Sequence, residues 1–289
     1  MKLCRFQPLE FAALEITRST GPVHPQPRWG VIEIQTVREI SGELLPWAGG
    51  SRGEGAANSA EGRFPESARA WPIQEVKLLP PVAPSKIVCL GRNYVEHAAE
   101  LGNPVPKHPL IFLKPPSSII AAEEPIVIPT DSKRVDYEGE MAVIIGRTCS
   151  HLGPMDDVKR YIAGYTCLND VTARDLQKVD VQFTRGKGFD TFCPIGPVLE
   201  TELDQATAKV ETYVNGVRKQ SAPLTEMIFS VDAIIRWISR IMTLVPGDVI
   251  ATGTPSGVGP LAAGDVVEVT VSGIGTLRNP VVAAEDSLV

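Results

Sequence analysis

Stretches of alternating apolar and polar residues, and short apolar runs bounded by turn residues, predict that most of this chain is strand. Gly30-Val-Ile-Glu-Ile-Gln-Thr-Val37 reads as one such strand, ahead of a Pro-rich junction, LLPPVAPS (78–85). Lys86–Leu90, Leu110–Leu113, Pro125–Ile128, Glu140–Gly146 and Ile162–Leu168 follow as short strands, several bounded by proline. Asn215-Gly216 between two alternating runs predicts a type I′ hairpin from Lys209 onward. Asp265–Val282 reads as a second hairpin, turning near Gly273 and Gly275.

Helical spacing is rarer. Ser230 to Leu244 has a capping serine, Asp232 in its first turn, and a stripe of Ile234, Ile235, Ile238, Ile241, Met242 and Val245. Asn93 to Leu101 reads as a short helix, with Asn93 at its N-cap and Gly102 closing it. The expected class is therefore α+β: mainly β, with short helices.

Composition adds three points. At 289 residues the chain allows one large domain or two modest ones. Residues 1–80 contain no Asp and balance nine Lys/Arg against nine Glu, so 81–289 carry the whole net charge of −6. With no basic block, neither nucleic acid nor an anionic membrane is expected as a partner. The Gly-, Ala- and Ser-rich stretch 42–67 reads as a long loop inside a small N-terminal β-meander spanning 1–80. No apolar run is long enough for a membrane span, and four apolar residues before Glu15 are too few for a signal-peptide core. Five scattered cysteines without CxxC spacing predict buried small hydrophobes in a reducing, cytoplasmic setting.

Four clusters could carry chemistry. Asp136, Glu138 and Glu140 alternate at the mouth of a strand, so all three are expected on one face. Asp170 follows the next strand, 162–168, so Glu138, Glu140 and Asp170 could form an all-oxygen site for Mg²⁺ or Mn²⁺, with Ca²⁺ a weaker fit. The same alternation also fits a solvated edge strand whose charges deter pairing. His97 and Glu100, at i and i+3 of the short helix, have the form of a general base and its orienting carboxylate, or of an exposed ion pair. Lys187, flanked by Gly186 and Gly188, is either an outward-projecting oxyanion partner or part of an ordinary exposed turn. ATGTPSGVG (251–259) offers N–H and hydroxyl groups to an anionic ligand, or is a plain Gly-Pro loop.

These pieces occur together in one order. SKIVCLGRNYVEHAAELGN (85–103), DYEGE (136–140), GYTCLNDVTARD (164–175), KGFD (187–190), MIFS (227–230) and LVPGDVIATGTPSGVG (244–259) resemble the fumarylacetoacetate hydrolase family. The resemblance implies a mixed β-roll catalytic domain over 84–285, with residues 1–80 as an N-terminal β-extension, and a homodimer. It implies a divalent metal, Mg²⁺ or Mn²⁺, on Glu138, Glu140 and Asp170. It implies a water-activating His97 and Glu100 on a lid-like helix, Lys187 as electrophile, and Arg92, Gln177 and Thr254 against the substrate. The reaction it favours is hydrolysis of a 2,4-dioxo acid of the acylpyruvate type, in aromatic catabolism. The alternatives are isomerisation or decarboxylation of a hydroxymuconate-type 2-oxo dicarboxylate, or oxaloacetate decarboxylation. The chain departs from the family pattern at QSAPLTE (220–226), ahead of MIFS.

Overall fold

A computed structural model of the chain describes residues 1–9, 27–40, 69–100 and 102–284. The loop expected at 42–67 lies outside these residues. Three β-sheets and four short α-helices make up the regular structure among the described residues.

The largest sheet has twelve strands. At its centre Gly139–Ile145 pairs antiparallel with Ile162–Asn169 on one side and Val249–Ala251 on the other. All seven residues of Gly139–Ile145 are buried, which suits its unbroken apolar run. One face of that run, Met141, Val143 and Ile145, packs on Val269, Val271 and Leu277 of a five-stranded sheet. The other face, Ala142 and Ile144, meets Ile87, Leu168 and Ile195. Burying each such side chain contributes roughly 1.5–3 kcal/mol, so this strand is a rigid base for whatever lies at its ends.

The N-terminal strands extend the same sheet. Lys2–Pro8 pairs antiparallel with Cys193–Glu200, and Arg28–Glu33, Thr36–Glu39 and Ala70–Pro72 follow outward as a meander. The stretch 30–37, expected as one strand, is two: the chain reverses at Ile34 and Gln35, with Ile34 at φ 58 and 96% exposed. Alternation could not show this reversal, because an apolar residue occupies the turn.

The Asn215-Gly216 hairpin forms with both residues at positive φ, as a type I′ turn requires. The 266–283 hairpin forms as expected too. Ser230 caps the main helix by accepting from the Ala233 N–H, but the helix covers only Val231–Ile241. Met242 turns extended, Leu244 bridges to Cys149, and Ile241, expected in the buried stripe, is exposed. All five cysteines are buried and free. No described helix is long and apolar enough to cross a membrane.

Candidate active site

The acidic cluster follows from strand register. In the antiparallel ladder Gly139 faces Asn169 and Glu140 faces Leu168, so Glu138 and Asp170 meet one step beyond, at the open end of the pair. The Asp170 N–H donates to the Glu138 carbonyl (2.8 Å), and the Glu138 N–H donates to Asn169 Oδ1 (2.9 Å). Glu140 lies two residues from Glu138, in the row that continues into Ala142 and Ile144. Glu138, Glu140 and Asp170 are all buried, and each offers an oxygen within 4.8 Å of the others.

Gly139, between two of these carboxylates, has no room for a side chain: a Cβ there would stand 2.0 Å from Thr212 Oγ1. Asp136 does not join the cluster. It sits in a separate strand, Val135–Tyr137, of a three-stranded sheet, where Arg134 (2.9 Å) and Arg174 (3.1 Å) hold it. The expectation of three carboxylates on one face fails because the chain changes sheets at Glu138.

Three buried cations frame the cluster. Lys187 Nζ donates to Glu138 Oε2 (2.7 Å) and Asp170 Oδ2 (2.6 Å). Lys114 Nζ donates to Asp170 Oδ1 (2.7 Å) and to the Val171 carbonyl (3.1 Å). Arg174 donates to Glu138 Oε1 (2.5 Å). Lys187 is thus not an outward-pointing turn residue: it lies in the helix Thr184–Gly188, 2% exposed, with its ammonium inside. Burial opposes its charge, but Asp170 and Glu138 outweigh burial and raise its pKa. Burial alone would also raise Glu138, yet Lys187 and Arg174 hold it well below the usual carboxylate range.

Glu140 differs. Its Oε2 accepts from the Gly253 N–H (2.7 Å), while Oε1 is buried with no hydrogen-bond partner. Burial, then Asp170 and Glu138, push its pKa well above the ordinary carboxyl value. An orphaned carboxylate oxygen beside two more carboxylates, all hard oxygen donors, fits a divalent cation of the Mg²⁺ or Mn²⁺ type.

His97 and Glu100 meet as the spacing predicts, Nδ1 to Oε2 at 3.3 Å, and His97 is 4% exposed. The contact leaves His97 Nε2 as the ring nitrogen available to a ligand. Asn93 is not the cap of this helix, which runs Val95–Glu100. Its amide instead donates to the carbonyls of Phe229 (3.1 Å) and Thr252 (2.7 Å) and accepts from the Phe229 N–H, tying three segments together.

The 251–259 loop does give its N–H groups to anions, but they are the protein's own. Gly253 serves Glu140, and Gly257 donates to Glu100 Oε1 (3.1 Å). Gly253 stands at φ +95, and a Cβ there would meet Asn93 Cβ at 2.7 Å.

A cleft of about 300 Å³ opens beside the cluster, with Glu138 and His97 both in its wall. Arg92, His97, Glu138, Gln177, Lys187 and Thr254 all line it, together with Arg174, which had not been singled out, and the apolar Leu90, Phe112 and Phe183. Gln177 accepts from Arg174 (2.9 Å). Thr254 donates to the Gly139 carbonyl (2.9 Å) and accepts from Gln220 (2.8 Å), so its hydroxyl hydrogen is already committed. Gln220 also accepts from the Gly139 N–H (3.0 Å) and donates to the Pro255 carbonyl (2.8 Å). This departure from the family pattern clamps Gly139, at the start of the Gly139–Ile145 strand, to the 251–259 loop. Sequence reading missed Lys114 and Arg174, and it marked the segment from Gln220 without foreseeing this clamp. Lys114 had one signal, a lysine ending an apolar strand just before proline.

The fold is β-rich, and its cleft brings a carboxylate-paired histidine beside Glu138, one of three buried carboxylates that could hold a cation. The family model described as Fumarylacetoacetate (FAA) hydrolase C-terminal matches residues 86–282, more than half of the chain, and the chain belongs to that family. Among its relatives, protein Rv2993c of Mycobacterium tuberculosis is 51% identical over 217 residues, 74% of this chain and 82% of that protein. The mitochondrial oxaloacetate tautomerase fahd2 of Xenopus laevis is 41% identical over 243 residues, 80% of this chain and 76% of that protein. Among solved structures, the 5-carboxymethyl-2-hydroxymuconate delta-isomerase from Mycobacterium smegmatis superposes with a TM-score of 0.81 at 38% identity, covering 98% of this chain and all of that one. A maleylpyruvate hydrolase from Sphingobium sp. SYK-6, in complex with manganese (II) ion and pyruvate, gives 0.76 at 29% identity, covering 99% and 100%.

Proposed function

We propose that this chain is a divalent-metal-dependent enzyme that moves a proton on a short 2-oxo dicarboxylate, interconverting its enol and keto forms or isomerising its double bonds. The observation that carries this reading is that His97, oriented by Glu100, lines the same cleft as Glu138 and Lys187. The tautomerase and isomerase chemistry named for relatives at 38–41% identity supports it. Glu138, Glu140 and Asp170 would hold the cation, which supplies Lewis-acid stabilisation of enolate charge.

The chain's own groups do the rest. His97 takes or returns the proton at the substrate carbon next to the 2-oxo group, using Nε2 while Glu100 fixes Nδ1. Lys187, held charged by Asp170 and Glu138, faces the oxygen on which charge develops. Arg92 and Lys178 at the cleft wall suit the far carboxylate of a diacid, and Phe112 and Phe183, edge to face at 5.4 Å, exclude water beside it. The homodimer expected from the family remains part of this reading, and a monomeric mass in solution would count against it.

A second reading, hydrolysis of a 2,4-dioxo acid, has the support of the maleylpyruvate hydrolase likeness and of the same His97–Glu100 pair, which could activate water. A panel with Mg²⁺ or Mn²⁺ separates them. The first reading expects fast loss of the enol form of oxaloacetate and slow cleavage of acylpyruvates. Rapid pyruvate release from acylpyruvates with no tautomerase rate would favour the second.

A further inference from the structure

Each of the three clustered carboxylates has one oxygen held by a donor outside the cluster, and the three remaining oxygens converge. Arg174 holds Glu138 Oε1, the Gly253 N–H holds Glu140 Oε2, and Lys114 holds Asp170 Oδ1. The remaining oxygens are Glu138 Oε2 and Asp170 Oδ2, which share the single Lys187 ammonium (2.7 and 2.6 Å), and Glu140 Oε1, which has no partner. We propose that Lys114 is a positioning residue that sets which divalent cation the site accepts, because it closes one oxygen of Asp170 and leaves that carboxylate a single ligand atom. The proposal rests on the reading of the triad as a cation site.

Lys114 is well placed for this task. Its side chain is fully buried, and its ammonium grips both the Asp170 carboxylate (2.7 Å) and the carbonyl of the next residue (3.1 Å), so Asp170 cannot swing. It ends the edge strand Leu110–Lys114 and approaches Asp170 opposite Lys187, which takes the other oxygen. Unlike Arg174 and Lys187, it is not part of the cleft wall. Removing it therefore frees an oxygen without removing a group that faces substrate.

Denticity separates hard cations. Ca²⁺ takes about six to eight oxygens, often with a bidentate carboxylate, whereas Mg²⁺ demands about six in near-octahedral array and keeps its waters. Three single-oxygen ligands suit Mg²⁺ or Mn²⁺ and leave Ca²⁺ short. Freeing Asp170 Oδ1 would offer Ca²⁺ a fourth oxygen.

The test is calorimetric binding of Mg²⁺ and Ca²⁺ to chelator-stripped wild type and Lys114→Met, whose side chain has similar length and no charge. Loss of a positive charge tightens both ions alike, since both are dications, so the ratio of their affinities isolates denticity. The proposal predicts a shift of that ratio toward Ca²⁺ by about tenfold or more. Equal tightening of both ions, with an unchanged ratio, would overturn it and leave Lys114 a mere counter-charge. Should the Met variant fail to fold, Lys114→Gln is read the same way, with the same two outcomes. If wild type binds neither ion, the cation-site reading itself falls, which is a separate result.

Discussion

Glu140→Gln should make the metal-free protein more stable and the metal-bound protein less so. In the fold, Glu140 Oε1 is buried without a partner, beside Glu138 and Asp170. An unsatisfied buried polar group costs about 1–3 kcal/mol, more when charged. Glutamine keeps an oxygen for the Gly253 N–H and turns an amide N–H₂ toward the two carboxylates. The gain is about 1–3 kcal/mol, or roughly 2–6 °C in Tm at this chain length.

The pH dependence has a definite sign. Burial, Asp170 and Glu138 raise the Glu140 pKa, so the folded protein keeps that proton to higher pH than the unfolded chain does. The stability this confers is complete below the unfolded value of about 4.3 and is lost as pH climbs toward the folded one. Metal-free E140Q should therefore gain on wild type as pH rises. Adding Mg²⁺ at about a hundred times its Kd stabilises wild type by about 2.7 kcal/mol through linkage and should leave E140Q nearly unchanged. The assay is thermal unfolding of both proteins with chelator and with Mg²⁺, at several pH values. A metal-free E140Q that melts below wild type at high pH, or that Mg²⁺ stabilises as much as wild type, would refute the reasoning.

Two further outcomes follow from the same geometry. Gly139→Ala drives a Cβ to 2.0 Å from Thr212 Oγ1, and overpacking of this kind costs about 1–3 kcal/mol, read as a lower denaturant midpoint; adding Thr212→Ala should recover part of it. Lys187→Met removes the ammonium between Glu138 and Asp170, so the metal-free protein should lose about 3–5 kcal/mol while calorimetry shows tighter divalent-cation binding.

The site was legible where local spacing determines geometry. Glu138 and Glu140 at i and i+2, and His97 and Glu100 at i and i+3, meet as period two and period 3.6 require. Asp170 was legible because it directly ends an apolar strand. Spacing failed where tertiary structure decides. Asp136 keeps the alternation but belongs to another sheet, and Asn93 has the chemistry of a cap but serves three distant carbonyl and N–H groups. Lys114 reaches Asp170 across 56 residues, and Gln220 reaches Gly139 across 81, separations that no periodicity encodes. The reversal at Ile34 was hidden for a simpler reason: its turn carries an apolar Ile34 between polar Glu33 and Gln35, so it reads as part of an alternating strand.

The central claim is that a cation on Glu138, Glu140 and Asp170 and a proton carried by His97 act in one cleft. The most direct measurement is the initial rate at which the enol form of oxaloacetate disappears, using metal-stripped wild type and His97→Asn, before and after Mg²⁺ or Mn²⁺. The account predicts a rate no faster than buffer in chelator, full recovery for wild type on adding metal, and a loss of about 10² to 10⁴ in the His97 variant with metal present. Full turnover by wild type in excess chelator, or an undiminished rate in His97→Asn, would contradict it.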